Sequence, residues 1–208
     1  MPMAKCKHCA CRKKAKVVAT AAFPTEYGKF KLFAFCNTDG KEHIAVVKGI
    51  VRGKKRVPLR MHSECLTGDV FHSLRCDCHA QLDAALRKIS RLPRGVVLYL
   101  RQEGRGIGIT NKIRAYALQD RGLDTIEANN ALGFPSDMRE YSAAAEMIRA
   151  LGIKSISLIT NNPDKIDELV KNGIIVEERI PHEFGKNPHN AHYLAVKKQK
   201  MRHLLTKV

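Results

Sequence analysis

Short runs of alternating hydrophobic and polar residues fill the first third of the chain and predict β-strands. Four such runs, VVATAAF, KFKLFAF, HIAVVKGI and VPLRMHS, lie between residues 17 and 63. Turn-forming residues separate them, among them Pro24, Gly28, Gly40 and Gly53. Strands of this length joined by short turns are typical of antiparallel sheets. We therefore predict that this N-terminal, β-rich half forms an antiparallel sheet or a partial barrel.

From Gln81 onward, hydrophobic residues recur with the helical period of about 3.6 residues. The pattern predicts helices near residues 80–91, 109–121, 138–151, 164–172 and 189–204, and buried strands at VVLYL, SISLIT and IIVEE. Gly152 and Gly173 follow two of these helices, as expected for C-terminal caps, and Asn162-Pro163-Asp164 is typical of a helix start. The predicted fold class is α/β or α+β, with a helix-rich half and interleaved strands after the β-rich half.

The composition is that of an ordinary globular protein, with 208 residues of which 44% are hydrophobic and 27% charged. A chain of this length is expected to form a single compact domain. No stretch approaches the roughly 18 consecutive apolar residues of a membrane span. Residues 1–16 contain no apolar run that could act as a signal peptide, so we expect a cytoplasmic protein without a membrane partner.

The formal net charge of +17 is unevenly distributed. Residues 1–16 and 48–60 each contain six Lys or Arg, residues 197–208 contain five, and none of these segments contains an acidic residue. We expect the middle cluster, which ends at Arg60, to guide a polyanionic substrate, and the two terminal clusters to be solvated tails. Because the chain has no Trp and few aromatic residues near these clusters, we expect no specific nucleic-acid partner.

Three of the seven cysteines have a spacing that indicates metal binding. Cys65 is followed, after ten intervening residues, by Cys76-Asp77-Cys78. Three thiolates are suitable zinc ligands and leave a fourth position. Water fills that position in a catalytic site, whereas in a structural site a further ligand closes it, here His62, His72 or His79. Spacing alone favours neither kind of site.

A second group of cysteines lies in the basic residues 1–16 and consists of Cys6, Cys9 and Cys11. Because no shielding residues surround this group, we predict a disordered extension that binds metal loosely rather than a second ordered zinc site. The catalytic domain is then expected at residues 17–208, with a basic C-terminal helix or tail. Cys36, in the apolar run KLFAFC, is expected to be a small core residue.

Two polar segments at element boundaries indicate anion binding. QEGRGIG, at residues 102–108, follows the predicted strand VVLYL and leads into a helix, so its glycines would let backbone N–H groups approach an anion. Arg105 would then bind a phosphate and Glu103 a base edge, although a plain tight turn explains the glycines equally well. Asp137 is expected to cap the helix near residues 138–151, and Arg139, an unfavourable cation in its first turn, suggests an anionic ligand.

The motifs RMHSECLTGD, SLRCDCHAQL, RQEGRGIG, NKIRAYALQD and TNNPDK occur in this order between residues 60 and 165. Together they resemble GTP cyclohydrolase II, the family that catalyses the first step of riboflavin synthesis. The resemblance is close from about Leu59 to Pro181 and looser from there to the C-terminus. It implies a zinc-dependent hydrolase, and it favours an open, catalytic metal site over a closed, structural one.

The resemblance also implies roles for individual residues of this chain. Cys65, Cys76 and Cys78 match the zinc ligands. The positions that match GTP contacts are Arg60, Met61, His62, Ser63, Glu64, Gln81, Glu103, Gly104, Arg105, Thr125, Thr160 and Lys165. Asp137 matches the proton acceptor, and Tyr116 matches a tyrosine of the ring chemistry. Arg139 matches a proposed nucleophile toward the α-phosphate, and a phosphate clamp is the alternative role because arginine stays protonated.

The implied reaction converts GTP to 2,5-diamino-6-ribosylamino-4(3H)-pyrimidinone 5′-phosphate, formate and pyrophosphate. Zinc would supply hydroxide to C8 of the guanine, and Mg²⁺ would balance the charge of the triphosphate. The resemblance further implies a homodimer and the monofunctional form of the family. His79, where the family commonly has glycine, is a candidate fourth zinc ligand. Two alternatives are a specialised relative that stops at the ring-opened formamide and a zinc-dependent nucleic-acid-binding protein.

Overall fold

The computed structural model describes residues 15–36, 40–184 and 186–206. Within these ranges the strands are β1 Lys16–Thr25, β2 Gly28–Cys36, β3 Glu42–Lys48, β4 Val57–Ser63, β5 Gly95–Leu100, β6 Ile156–Ile159 and β7 Val176–Ile180. The α-helices are α1 Leu66–Asp69, α2 Cys78–Ser90, α3 Gly108–Gln119, α4 Thr125–Ala131, α5 Ser142–Ala150, α6 Pro163–Lys171 and α7 Ala191–Lys200. A 3-10 turn at Glu103–Gly106 lies between β5 and α3.

These strands form one mixed sheet with the order β1-β2-β3-β5-β4-β6-β7. β1, β2 and β3 pair antiparallel, and β3 also pairs antiparallel with β5. β5, β4, β6 and β7 are parallel to one another. The carboxyl ends of these four strands therefore meet at one edge of the sheet, which is where open α/β folds place their ligand-binding residues.

The predicted α/β class is confirmed, whereas the predicted antiparallel pairing is wrong for β4. This strand pairs in parallel with β5 and β6 and occupies the centre of the sheet. Both of its faces are buried, with Leu59 and Met61 on one side and Arg60 and His62 on the other. A strand buried on both faces belongs in the parallel centre of a sheet rather than in a half-exposed meander. The sheet is open, with β1 and β7 at its edges, and does not form a barrel.

Hydrophobic residues pack on both faces of the sheet. On one face Leu98 belongs to a buried cluster with Met147 of α5 and Leu169 of α6. On the other face Val97 packs with Ile89 of α2. Helices thus cover both sides of the parallel strands and fix the edge at which these strands end.

Helix boundaries follow the predicted signals at several ends. Gly152 and Gly173 adopt φ angles of +71° and +73° after α5 and α6. Asn162 caps α6 by accepting a hydrogen bond from the N–H of Asp164 at 2.9 Å. The predicted helix cap at Asp137 is wrong, because residues 137–141 form an irregular loop and α5 begins only at Ser142. Arg139 therefore does not lie in the first turn of α5, and the macrodipole argument for an anionic ligand there does not apply.

The predicted N-terminal extension lies outside the described residues except for its last two. Ala15 is buried, and its N–H donates to the carboxylate of Glu146 at 2.8 Å. Lys16 is the first residue of β1, so the folded part begins at least two residues before the predicted boundary. Cys36, at the end of β2, is buried in the described structure as predicted. In the described part of the chain, every helix is too short or too polar to cross a membrane.

The basic cluster at residues 48–60 lies mostly away from the edge where the parallel strands end. Residues 49–56 connect β3 to β4 and enter β4 at its amino end. There Arg56 pairs with Glu178 at 2.8 Å. Arg60, which lies further along β4, is the member of the cluster that reaches the cleft described below. Of this cluster, Arg60 is therefore the residue in a position to contact a ligand in the cleft.

Candidate active site

Three cysteine sulfurs meet at the carboxyl edge of the parallel strands. Cys65 lies between β4 and α1, and Cys76 and Cys78 flank Asp77 at the start of α2. The three Sγ atoms lie within 4.8 Å of one another, and those of Cys65 and Cys76 are 3.8 Å apart. The spacing of these cysteines thus predicts their convergence correctly.

Gly68 in α1 makes room for the three sulfurs. A Cβ atom at this position would lie 2.8 Å from Sγ of Cys76 and 3.1 Å from Sγ of Cys65. The backbone of α1 therefore packs directly against the cysteine side chains. Any side chain at residue 68 would displace them.

The donor set suits a zinc ion with an open coordination position. Among the described residues, the group that could hold a metal consists of the three cysteines, without His, Asp or Glu. The ring of His79 instead packs against that of His72, with centroids 3.8 Å apart. Nε2 of His62 contacts Asp69 at 2.9 Å. Structural zinc sites take four protein ligands, whereas catalytic sites take three and keep one position for water or substrate.

Asp69 forms hydrogen bonds with several residues around the three cysteines. Its carboxylate accepts hydrogen bonds from the N–H of Cys65 at 3.1 Å and from the hydroxyl of Tyr99 at 2.8 Å. Burial, partly opposed by Asp69, lowers the pKa of His62, so its neutral ring donates its Nε2–H to this carboxylate. The rings of His62 and Tyr99 also stack, with centroids 5.5 Å apart. The segment after β4 is thus fixed before any ligand binds.

A buried lysine contacts the cysteine cluster. Nζ of Lys112, on α3, donates to Sγ of Cys65 at 3.1 Å and to Oε1 of Glu103 at 2.8 Å. Hydrogen bonds from Cys76 and Cys78, together with the charge of Lys112, lower the pKa of the Cys65 thiol. Cys65 is therefore the cysteine of the three that most readily carries a negative charge.

A cleft open to solvent adjoins the cysteines along the strand ends. Its empty volume, including the part open to solvent, is about 1210 Å³. Three acidic residues line the cleft. The basic residues that line it number seven, namely Arg60, Arg75, Arg105, Lys112, Arg139, Lys165 and Lys197. This excess of cations suits a polyanionic ligand.

The turn between β5 and α3 brings hydrogen-bond donors to the cleft. Gly104 and Arg105 have φ angles of +62° and +59°, a conformation that is uncommon for a residue with a side chain. Gly106 permits a close approach, since a Cβ there would lie 3.1 Å from Cβ of Met138. Nη1 of Arg105 donates to the carbonyl of Ser136 at 3.3 Å, and its buried Nη2 has no partner among the described residues. That N–H group therefore has an unmet hydrogen bond.

Arg139 and Asp137 form an ion pair within one loop. Nε and the backbone N–H of Arg139 donate to Oδ1 of Asp137 at 2.9 and 3.0 Å, and Nη2 contacts Oδ2. Burial raises the pKa of Asp137, but the hydrogen bonds and charge of Arg139 lower it overall. Burial lowers the pKa of Arg139, but Tyr141 and Asp137 raise it overall. Both members of the pair are therefore charged at neutral pH.

Two further cations are buried near the ends of β4 and β6. Nη1 of Arg60 donates to the carbonyl of Ile159 at 3.0 Å, and Nη2 contacts Oε1 of Gln81. Nζ of Lys165 donates to the carbonyl of Met61 at 2.9 Å. Burial lowers the pKa of Arg60 to about 10, and burial with the charge of Arg60 lowers that of Lys165 well below its ordinary value. An anion bound here would stabilise both charges.

Residues 190–206, which we term the strap, form one wall of the cleft. They include α7, and the strap residues that face the cleft are Tyr193, Lys197, Met201, His203 and Leu205. Nζ of Lys197 pairs with Oδ1 of Asp77 at 2.7 Å, and both side chains are buried. The predicted solvated tail is therefore wrong at Lys197, which is an internal partner of the cysteine turn.

Comparison with known proteins identifies the family. Residues 15–181 match the family model described as GTP cyclohydrolase II. The GTP cyclohydrolase-2 of Teredinibacter turnerae is 54% identical over 189 residues, which are 90% of this chain and 95% of that protein. The chain belongs to the GTP cyclohydrolase II family. The GTP cyclohydrolase-2 of Hahella chejuensis is 56% identical over 190 residues, covering 91% of this chain and 92% of the relative. The riboflavin biosynthesis protein RibBA of Endomicrobium trichonymphae is 52% identical over 192 residues, 92% of this chain but 48% of that protein.

Most residues that resemble functional positions of GTP cyclohydrolase II gather in the cleft. Besides the cysteines, those that line it are Arg60, His62, Ser63, Glu64, Gln81, Glu103, Gly104, Arg105, Tyr116, Thr125, Arg139, Thr160 and Lys165. Met61 does not, because alternate residues of a strand face opposite sides and its side chain is fully buried in the core. The carboxylate of Asp137 is engaged by Arg139.

The sequence patterns do not assign several of the cleft residues to the site. Lys112 lies four residues before Tyr116 on one helix, so helical spacing offered a signal for it. Asp77 lies between two expected ligands, but its partner Lys197 is 120 residues away. Lys197 also lies beyond residue 181, where the match to the GTP cyclohydrolase II model ends. No local pattern distinguishes Lys197 from Lys198, since only packing decides which lysine is buried.

Proposed function

We propose that this chain hydrolyses GTP to 2,5-diamino-6-ribosylamino-4(3H)-pyrimidinone 5′-phosphate, formate and pyrophosphate, the first step of riboflavin biosynthesis. The observation that carries this conclusion is the group of three cysteine sulfurs, all within 4.8 Å, beside a cleft lined by seven basic residues. A metal centre suits hydrolysis, and the basic residues suit a triphosphate. Membership of the GTP cyclohydrolase II family agrees with both.

Cys65, Cys76 and Cys78 would hold one zinc ion. When bound, zinc would supply a Lewis acid for the hydrolytic steps that open the guanine ring at C8 and release formate. The protein orients these ligands through the close approach of Gly68 and through the hydrogen bond from Lys112 to Cys65. We also infer a cytoplasmic location, because the chain belongs to a family of biosynthetic enzymes. Assembly as a homodimer is inferred from the family.

Four basic residues, Arg60, Arg105, Arg139 and Lys165, would bind the triphosphate, with Mg²⁺ as its counterion. Nη2 of Arg105 and Nε of Arg60 are buried without partners among the described residues, which supports a role toward a ligand. Buried cations attract phosphate more strongly than exposed ones, because water screens them less. The remaining polar contacts to GTP would come from His62, Ser63, Glu64, Gln81, Glu103, Gly104, Thr125 and Thr160.

Arg139 is assigned the role of phosphate clamp rather than nucleophile. Nucleophilic attack requires a neutral guanidine, whereas Tyr141 and Asp137 raise the pKa of Arg139 despite its burial. A charged, planar guanidinium instead binds two phosphate oxygens at once. Asp137 has a lowered pKa and is engaged by Arg139, which makes it a weak proton acceptor. Its role is then to position the clamp.

Tyr116 would hold a proton beside the guanine ring. Burial raises the pKa of Tyr116 to about 12, so its hydroxyl is protonated at neutral pH. This hydroxyl lies 3.3 Å from Oγ1 of Thr67, and the guanidinium of Arg75 lies 4.9 Å from the centre of the tyrosine ring. A neutral phenol can donate a hydrogen bond to a ring nitrogen as the C–N bond breaks.

The test is to incubate the purified chain with GTP and Mg²⁺ and to measure formate, pyrophosphate and the pyrimidine product. A Cys76→Ser variant, with its zinc content determined, is assayed beside it. We expect the wild type to release formate and pyrophosphate in equal amounts, and both to fall in proportion to zinc in the variant. A wild type that contains zinc but releases no formate would overturn the assignment.

A further inference from the structure

Lys112 donates a hydrogen bond to a cysteine that is expected to bind metal. Its Nζ lies 3.1 Å from Sγ of Cys65, and the residue is buried, with 9% of its surface exposed. Lysine is rarely buried unless it is paired, since removing its charge from water is costly. The position of Lys112 against the sulfur therefore needs a reason beyond packing.

The surroundings of Lys112 hold its ammonium in one place. Oε1 of Glu103 accepts from Nζ at 2.8 Å, and Oε2 of the same carboxylate accepts from the N–H of Leu66 at 2.6 Å. The ring of Tyr116 lies 5.8 Å from Nζ. At Gly104 a Cβ atom would lie 3.1 Å from Cβ of Lys112, so the turn packs closely on the lysine stem. The ammonium is thus oriented toward Cys65 by α3 and by the turn together.

We propose that Lys112 is a positioning residue that keeps its hydrogen bond to the Cys65 thiolate in the metal-loaded enzyme and draws electron density away from the metal through that sulfur. This role rests on the proposed function, because it assumes a divalent metal at Cys65, Cys76 and Cys78. Its consequence is a stronger Lewis acid than three cysteines alone would give.

Charge is the physical reason for such a residue. Three thiolates around a divalent ion give a centre with one net negative charge, and strong electron donation from sulfur weakens the polarisation of a fourth ligand. One ammonium in direct contact with a sulfur offsets that charge. Partners that contact metal ligands commonly tune the metal, and their loss typically costs about 10–100-fold in affinity or activity. Glu103 orients Lys112 through the contact of its Oε1 with Nζ.

Cobalt(II) in place of zinc makes the thiolate–metal bonds visible as charge-transfer absorption. We compare the cobalt-loaded wild type with Lys112→Met and Lys112→Arg variants. A hydrogen bond lowers the energy of the sulfur lone pairs, so its loss in Lys112→Met should move the charge-transfer band to longer wavelength. Lys112→Arg should restore the band most of the way. The zinc enzymes should show a fall in kcat/KM of about 10–100-fold for Lys112→Met, and the acid limb of its pH profile should move to higher pH.

Arg114→Met is the matched control, because it removes an exposed cation two residues along the same helix. It should leave the band and the pH profile unchanged. Lys112→Met leaves the buried Glu103 without its cation, so a Lys112→Met, Glu103→Gln variant provides a second folded form for spectroscopy. This double variant should show the same band shift.

Each outcome tests either the proposed metal function or the role of Lys112. If the wild type takes up no cobalt with a thiolate charge-transfer band, the proposed metal function fails. If the wild type shows the band but neither Lys112→Met nor the double variant shifts it, the role of Lys112 is wrong while the proposed function stands. A rise in KM for GTP without a band shift would likewise overturn the inference, because Lys112 would then act on the substrate.

Discussion

Arg139 combines a largely buried side chain with a permanent charge. Its guanidinium contacts both oxygens of Asp137 through Nε and Nη2, and a backbone N–H reinforces the same carboxylate. A forked contact of this kind fixes the orientation of the guanidinium as well as its charge. The irregular loop at residues 137–141, rather than a helix terminus, therefore determines where this cation can meet a phosphate.

Asp137→Asn separates the two roles considered for this carboxylate. If Asp137 positions the phosphate clamp, KM for GTP should rise about 10–100-fold while kcat changes little, because a charge-assisted hydrogen bond contributes about 1.5–3 kcal/mol. A proton acceptor would instead lower kcat by about 10²–10⁴-fold at nearly constant KM. Steady-state formate release over a range of GTP concentrations distinguishes these patterns.

Asp83→Asn is a suitable control for this substitution. Asp83 also pairs with an arginine, Arg87, but that pair lies on the outer part of α2 and outside the cleft. Its loss should change neither kinetic constant. A fall in kcat for Asp137→Asn at unchanged KM would contradict the positioning role.

The sequence predicts single residues well where one chemistry dominates. Cys65, Cys76 and Cys78 are an example, because few other reasons place three thiols at this spacing. Prediction is weaker where a side chain can face either way. Met61 is in the matched motif, yet the register of β4 turns it into the core. Lys112 shows the opposite failure, since a lysine within a helix is usually exposed.

At the scale of elements, polar contacts join the strap to the body, beside the buried apolar side chains of Leu194, Val196 and Leu205. Lys197 pairs with Asp77 inside the molecule, and Lys200 pairs with Asp124 near the surface. The N–H of Leu204 also donates to the carbonyl of Asn161 at 2.8 Å. The strap thus reaches both the cysteine turn and the segment after β6, and it forms one wall of the cleft between them.

Lys197→Met should destabilise the strap far more than Lys200→Met. Removing Lys197 leaves Asp77 as an uncompensated buried charge, at a cost of about 3–5 kcal/mol. Lys200 is half-exposed, and Asp124 keeps its hydrogen bonds from the N–H groups at the start of α4, so little change in the free energy of unfolding is expected. Urea unfolding of the zinc-loaded variants measures both values.

Zinc retention provides a second readout for this pair. Asp77 lies between two cysteines, so Lys197→Met should also release zinc faster to a chelator, whereas Lys200→Met should not. Equal stability and equal zinc release in the two variants would show that the strap does not support the cysteine turn.

Elements with a strong local pattern are predicted closely, and those that depend on distant partners are not. α6 begins at Pro163 after the expected cap, and β5 covers the apolar run VVLYL. The short helices α1 and α4 are not predicted, because 4 and 7 residues are too few for a periodic pattern. β4 has the alternation of a strand, but its parallel partners are set by chain crossings that no local signal records.

At the scale of the whole molecule, buried neutral histidines couple stability to pH. Burial, assisted by nearby cations, lowers the pKa of both His182 and His203 to about 3. In the unfolded chain the pKa of histidine is near 6.5. The unfolded state therefore binds more protons than the folded state between these values, and stability is lost as the pH falls through this window.

The free energy of unfolding should be constant above about pH 7 and fall by about 1 kcal/mol per pH unit for each of these histidines between pH 6 and 5. Carboxylates contribute little to the slope between pH 6 and 5, because they are ionised in both the folded and the unfolded state. Urea titrations at each pH, with zinc content determined in parallel, measure the slope. His182→Gln keeps a donor for the carbonyl of Gln81 and should lower the slope by about 1 kcal/mol per pH unit. A slope unchanged in this variant would exclude His182 as its source.

The strap follows every described strand along the chain. During synthesis, the cysteines therefore emerge before the strap can pack against them. During synthesis the ribosome releases the cysteines, the turn at Glu103–Gly106 and the loop with Arg139 before it releases α7. A nascent chain therefore presents its thiols to the surrounding solution while one wall of the cleft is still missing. The thiols are therefore exposed to metal ions before the contact between Lys197 and Asp77 can form.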